Sequence, residues 1–301
     1  MIIANSFNSG DTIGIFAPAG SYSKADMMTE ISGFKKLGFK IKMADNLFCR
    51  YGYLAGTDKQ RAEDFNSLIL DDDVKALIAF RGGYGSINIL KYINISNILK
   101  HPKPIYGFSD VTALINYVTD KTSLVTFHGP MINSNFSDKT TFLSLLNSLY
   151  NPGVFSFDFS NLKTYNNNNA IGKLAGGNLS TICSCLGTPY ELDFNDKILL
   201  LEDINEDPYK IDRMLSQLIL SNRLDKCAGF IIGYMNYSNV NHKLKEFDFS
   251  FQRVIENLLV PLKKPIIYGC PFGHSYPNIT IPIGLRVMLD FKDKIIKRID
   301  F

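Results

Sequence analysis

Ser109 stands where the chain changes character. The run Ile105–Phe108 before it is apolar and strand-like, and from Asp110 onward Val111, Leu114, Ile115 and Val118 recur at helical spacing. In hydrolases a strand–Ser–helix turn exposes the hydroxyl and leaves the next backbone N–H free to face an oxyanion. Ser and Asp are equally the usual caps of a helix start. The local pattern Gly107-Phe108-Ser109-Asp110-Val111 is not the G-x-S-x-G elbow, so on these residues alone both roles stand open. A second turn, Arg81-Gly82-Gly83-Tyr84-Gly85-Ser86, follows another apolar run. It matches neither G-x-G-x-x-G nor a Walker loop. A tight turn, an anion cradle or a backbone N–H brought close to a substrate carbonyl would each use glycine there.

Glu202 and Asp203 come directly after four apolar residues, a place for a helix cap or for an acid that orients a histidine. The chain has four histidines, His101, His128, His242 and His274. His274 follows an apolar run and a Pro/Gly turn, and His128 ends another strand-like segment. A lone histidine is more often structural than catalytic. Taken together, a serine, an acid and a histidine each sit beside a strand end, with a glycine turn suited to an oxyanion. Metal chemistry is disfavoured because neither H-x-x-x-H nor paired C-x-x-C spacing occurs. A cysteine nucleophile is disfavoured too, since Cys49, Cys183, Cys185, Cys227 and Cys270 all lie away from glycine-rich strand-to-helix turns.

The elements that would position these residues alternate. Strand signals at "DTIGIFAPAG", "KIKMADN", "KALIAFRGGYGS" and "KPIYGFSD" are separated by helical patterns, the first with Met27, Met28, Ile31, Phe34 and Leu37 on its apolar stripe. Strands alternating with helices imply βαβ units and a parallel sheet. Ligands of such sheets bind outside the carboxyl ends of the strands, so the turns Ala17–Ser21, Arg81–Ser86 and Ser109–Asp110 are expected on one edge. The pattern breaks between about 151 and 170, where "NPGVFSFDFSNLKTYNNNNA" reads as an exposed linker loop. The expected organisation is therefore a first domain over 1–150, a linker over 151–170 and a second α/β domain over 171–301, with mixed or antiparallel strands near its end.

At 301 residues, 46% hydrophobic and 20% charged, the chain suits a globular protein of two domains. A net charge of +3, from 32 basic and 29 acidic side chains, makes no case for a nucleic-acid partner. The basic run Lys292–Arg298 is interrupted by Asp293 and two isoleucines and reads as a solvated strand end. Five scattered cysteines fit buried thiols in a reducing compartment. No apolar run approaches the length of a membrane span, and nothing marks the N-terminus as a signal peptide. A cytoplasmic protein with no membrane partner is expected.

Seven blocks, in order, carry a resemblance along nearly the whole chain: "GIFAPAG" (14–20), "RGGYGS" (81–86), "GFSDVTAL" (107–114), "FHGP" (127–130), "GGNLS" (176–180), "LLLEDINEDPYKIDRMLSQL" (199–218) and "PFGH" (271–274). With them the sequence resembles the LD-carboxypeptidase family, serine peptidases of the murein tetrapeptide carboxypeptidase and microcin-immunity type. The resemblance implies Ser109 as nucleophile, Glu202 as the acid and His274 as general base. It also implies an oxyanion hole made by the N–H groups of Gly83 and Asp110. Glu202 and His274 lie across the asparagine-rich segment from Ser109, so the implied triad would draw on both domains. The implied architecture is a flavodoxin-like N-terminal domain with a smaller β-rich α/β C-terminal domain, as a homodimer without cofactor or metal. The implied substrate is a murein tetrapeptide or muropeptide, cut between a diamino acid and a terminal D-alanine. A free carboxylate calls for a cation, for which Arg81 is a candidate. Asn178 is a candidate for substrate contact or for a helix cap. Two alternatives remain: a microcin-immunity-type hydrolase of aminoacyl-adenylate toxins, which this Trp-free chain fits less well, and a non-catalytic flavodoxin-like module holding an anion.

Overall fold

The computed structural model describes residues 1–237 and 248–299. The chain forms two compact units, Met1–Val154 with Ile279–Gly284, and Phe155–Asn278 with the chain from Leu285 onward. The strands of the first unit are β1 (Thr12–Phe16), β2 (Lys40–Met43), β3 (Val74–Ala79), β4 (Ile105–Gly107), β5 (Thr126–His128) and, from the returning segment, β12 in chain order (Ile281–Ile283). Its helices are α1 (Lys24–Lys36), α2 (Asp58–Leu70), α3 (Ser86–Ile89), α4 (Ile95–Lys100), α5 (Thr112–Thr122) and α6 (Lys139–Tyr150).

The strands lie in the order β12-β5-β4-β3-β1-β2. All neighbours from β2 to β5 run parallel, and β12 adds to β5 antiparallel. The order 2-1-3-4-5 is that of flavodoxin-like sheets. β3 is buried at every position but Lys75, as expected of a parallel strand covered on both faces. Helix starts follow local chemistry: Ser23 caps α1, and Thr57 with Gln60 forms a reciprocal capping box on α2. Along α1, Met27, Ile31 and Phe34 are buried, whereas Met28 and Leu37 are exposed. The turns after β1, β3 and β4 all leave the carboxyl edge of this sheet, as the alternation predicts.

The second unit contains β6 (Ser156–Asp158), β7 (Lys163–Tyr165), β8 (Ala170–Asn178), β9 (Lys197–Ile204), β10 (Gly229–Asn236), β11 (Ile266–Tyr268), β13 (Arg286–Asp290) and β14 (Ile295–Arg298). They form one sheet, β6-β14-β13-β8-β9-β10-β11-β7. The centre, β8 to β11, is parallel, and the strands outside it join antiparallel. Helices α7 (Leu179–Ser184), α8 (Pro208–Leu220) and α9 (Phe251–Leu258) bury Leu179, Ile211, Leu215 and Val254 in one core with Leu199, Leu201, Phe230 and Ile232 of β9 and β10.

Two expected boundaries change. The segment 151–170 is not a linker loop, because β6 and β7 within it are edge strands of the second sheet. Its asparagines do structural work there: Asn166, at φ 50°, donates to the carbonyls of Val260 and Lys264, and Asn169 accepts from the Phe291 N–H. Asn tolerates the left-handed backbone and supplies the missing hydrogen bonds, so a polar run need not be loose. The second domain is also not continuous over 171–301. Residues 279–284 belong to the first unit, where β12 pairs with β5 and the Thr280 N–H donates to Ser144 Oγ at 2.8 Å. A proline at 282 suits this edge position.

Candidate active site

In the first unit, Ser109 follows β4 after an extended Phe108 and has φ 62°. One 3₁₀ turn, Ser109–Val111, then leads into α5. A non-glycine residue held at positive φ is uncommon, and a sharp strand-to-helix turn of this kind projects the hydroxyl away from the sheet. Ser109 does not cap the helix, because neither the 3₁₀ turn nor α5 has a side-chain cap. The glycine turn after β3 comes against it. A Cβ on Gly82 would sit 2.8 Å from Ser109 Cβ and 2.9 Å from its Oγ, so only glycine allows this approach. Among the described residues neither the Gly83 N–H nor the Asp110 N–H has an acceptor.

The Asp110 side chain does not cap α5 either. Its carboxylate accepts from the N–H of Ser86 at 2.8 Å and of Gly85 at 3.3 Å, at the start of α3, while Ser86 Oγ donates to the Asp110 carbonyl. Burial raises the Asp110 pKa, and the Ser86 and Gly85 donors and the Arg61 charge oppose that rise. Arg61, from α2, is fully buried. Its guanidinium donates to the Pro18 carbonyl after β1, to the Gly85 carbonyl at 2.9 Å and to Asp58 at 2.5 Å, which joins two of the edge turns. Arg81 lies over the Tyr22 ring at 5.1 Å, and one guanidinium nitrogen is 3.4 Å from the Ser21 carbonyl. Its Nε has no hydrogen-bond partner, and no carboxylate pairs with it among the described residues.

In the second unit, the neighbours Glu202 and Asp203 on β9 point to opposite faces, as strand geometry requires. Asp203 accepts from the Ser180 N–H at 2.8 Å, Ser180 Oγ at 2.7 Å and Asn178 Nδ2 at 3.1 Å, so it anchors the start of α7. Burial raises its pKa. Asn178 is the N-cap of α7 and accepts from the Thr181 N–H and hydroxyl, at 3.0 and 2.9 Å. Its side chain thus fills the capping role. Glu202 faces His274, with 2.7 Å between Oε2 and Nδ1. Their side chains are 0% and 16% exposed. Burial by itself would lower the His274 pKa, but the charge and hydrogen bond of Glu202, helped by Asp203, outweigh it and leave the pKa above the ordinary 6.5.

Glu202 and His274 are thus brought together in one unit, and Ser109, Gly83 and Asp110 in the other. His128 is fully buried at the end of β5, His101 lies half-buried 3.8 Å from Asp72, and His242 is outside the described residues. Arg61 and Ser86 escaped sequence reading. Ser86 closes the recognised glycine turn, but Arg61 sits in a polar-looking helix with nothing local to mark it. Among the described residues no three His, Cys, Asp or Glu side chains stand together as metal ligands would, and no helix is long and apolar enough to cross a membrane. Chemically, a carboxylate-fixed imidazole can serve as a general base, and a serine beside N–H groups without an acceptor among the described residues can serve as a nucleophile with an anion cradle.

Residues 13–129 match the model of the LD-carboxypeptidase N-terminal domain, and residues 171–289 match that of the LD-carboxypeptidase C-terminal domain. The chain belongs to the LD-carboxypeptidase family. It is 36% identical over 292 residues to the "Probable murein peptide carboxypeptidase" of Bacillus subtilis, covering 95% of this chain and 91% of that one. Among solved structures, it resembles the muramoyltetrapeptide carboxypeptidase from Oxalobacter formigenes at 29% identity and a TM-score of 0.82, over 95% of this chain and 97% of that one. It also resembles the microcin C7 self-immunity protein MccF in complex with aspartyl sulfamoyl adenosine, at 25% identity and a TM-score of 0.88, over 100% and 99%. The LD-carboxypeptidases are peptidases, and the two-sheet α/β fold seen here is the one they share.

Proposed function

We propose that this LD-carboxypeptidase releases the terminal D-alanine from murein tetrapeptides by a Ser-His-Glu mechanism. The observation that carries the reading is the 2.7 Å pairing of His274 with the buried Glu202, a pairing with no use in a simple binding module. With Nδ1 on the carboxylate, Nε2 is the nitrogen to which this reading gives the role of base. In this reading His274 Nε2 takes the Ser109 proton as Oγ attacks the amide carbonyl. Glu202 holds the tautomer and stabilises the imidazolium, and the N–H groups of Gly83 and Asp110 receive the oxyanion. His274 then returns the proton to the leaving D-alanine nitrogen, and water hydrolyses the acyl-enzyme. Arg81, without a carboxylate partner among the described residues, takes the substrate's terminal carboxylate. Support for a murein substrate is the 36% identity to the Bacillus subtilis relative. The role that follows is cell-wall recycling by a cytoplasmic homodimer.

A second reading has one observation in its favour, the TM-score of 0.88 to the microcin self-immunity protein. There the same triad would cleave an aminoacyl-nucleotide analogue. Purified protein given a murein tetrapeptide and an aminoacyl sulfamoyl adenosine side by side separates the two. D-Alanine release that disappears in Ser109→Ala is the expected result. Full activity in that variant would sink the mechanism, and turnover of the nucleotide analogue alone would move the substrate to the second reading.

A further inference from the structure

We propose that Ser86 and the Asp110 carboxylate are positioning residues that hold the two oxyanion donors at a fixed spacing. The inference rests on the serine-hydrolase reading above and adds to it what sets the cradle. The donors Gly83 and Asp110 come from turns after different strands. β3 and β4 are paired through Leu77↔Ile105 and Ile78↔Tyr106, and that ladder ends before either turn begins. Beyond it, Ser86 and Asp110 make the tie. The Asp110 carboxylate accepts from the N–H groups of Ser86 and Gly85, at 2.8 and 3.3 Å, and the Asp110 carbonyl accepts from Ser86 Oγ.

The side chain and the carbonyl of Asp110 are therefore both fixed to one turn. With both held, the peptide that carries the Asp110 N–H, between Ser109 and Asp110, has little freedom to rotate. On the other side, Ser86 lies three residues after Gly83 and is fully buried. The buried guanidinium of Arg61 adds a second anchor through the Gly85 carbonyl at 2.9 Å. Oxyanion stabilisation depends on donors already aimed at the developing charge, and small displacements are costly. A clasp between the two turns supplies that aim. A helix cap alone would explain the carboxylate, but it leaves the Ser86 hydroxyl bond to the Asp110 carbonyl without a purpose.

The test is Ser86→Ala, which keeps the backbone N–H bond and removes only the hydroxyl clasp. With a murein tetrapeptide, kcat is expected to fall about ten- to a hundredfold while KM stays within about twofold. The rate of Ser109 labelling by a fluorophosphonate, read by intact mass, should fall in parallel. Ser86→Cys keeps the volume and a weak donor, and it should fall between the two; it also decides the matter if Ser86→Ala does not fold. Asp110→Asn, which offers an amide N–H to one backbone donor, should show the same split between kcat and KM. Wild-type kcat and labelling rate in a folded Ser86 variant overturn the proposal, as does a loss confined to KM or to thermal stability. Failure of the wild-type protein to label at Ser109 points instead to failure of the underlying reading.

Discussion

Nδ1 of His274 lies 2.7 Å from Oε2 of Glu202, a carboxylate with no solvent exposure. The contact depends on the residue between the β11 turn and the histidine. Gly273 has φ +106°, and a Cβ built on it would fall 2.5 Å from that same Oε2. Gly273→Ala therefore strains the backbone by about 1–3 kcal/mol and pushes the carboxylate off the imidazole. The expected outcome is a lower melting temperature with kcat/KM down about a hundredfold or more. Steady-state kinetics on folded protein check it, and near-normal activity would show that the pair tolerates displacement.

The same pair sets a pH dependence. Its carboxylate holds the His274 pKa above 6.5, and an imidazole can take a proton only when neutral. Activity as kcat/KM should rise with pH through an inflection above 6.5. Glu202→Gln removes the charge, so the inflection should move down and the maximum fall by about 10³–10⁴. A pH–rate profile of both proteins decides it. Stability runs the other way: the pair's contribution is full below the unfolded histidine value and is lost as pH rises through the raised folded one.

Ser109 is held at φ 62°, at a cost to the fold. Ser109→Ala and Ser109→Gly should both be inactive, but glycine accepts the left-handed backbone. The glycine variant should be the more stable of the two by about 1 kcal/mol. Parallel thermal or denaturant melts measure the difference, and equal stability would mean the turn relaxes around alanine.

In the proposed mechanism Arg81 bears on binding rather than on bond-making. Loss of a charge-assisted contact to the substrate carboxylate is worth about 1.5–3 kcal/mol. Arg81→Gln should raise KM about ten- to a hundredfold with kcat little changed. A peptide amidated at its C-terminus should be insensitive to the substitution, and equal sensitivity would remove Arg81 from the carboxylate site.

How much of this was legible in the residues follows from distance along the chain. Alternating apolar runs and helical stripes are local, so the parallel sheet and the edge carrying Ser109 and the glycine turn could be read directly. The Thr57–Gln60 cap was written within one helical turn. Glu202 and His274 could be singled out because few residue types suit the chemistry and both follow apolar strands. Their 2.7 Å contact spans 72 residues, however, and only folding could bring it about. The Asp110 carboxylate reads locally as a cap for the helix after it, yet it serves the helix before it, 24 residues upstream. Arg61 looks like a surface cation until the turns close over its guanidinium. Likewise, the edge strands within 151–170 and the place of 279–284 in the first unit do not show in the residues, because edge-strand pairing is a contact between distant segments. Residue type determined which groups can react; tertiary packing decided their partners, since hydrogen-bond geometry depends on separation in space and not along the chain.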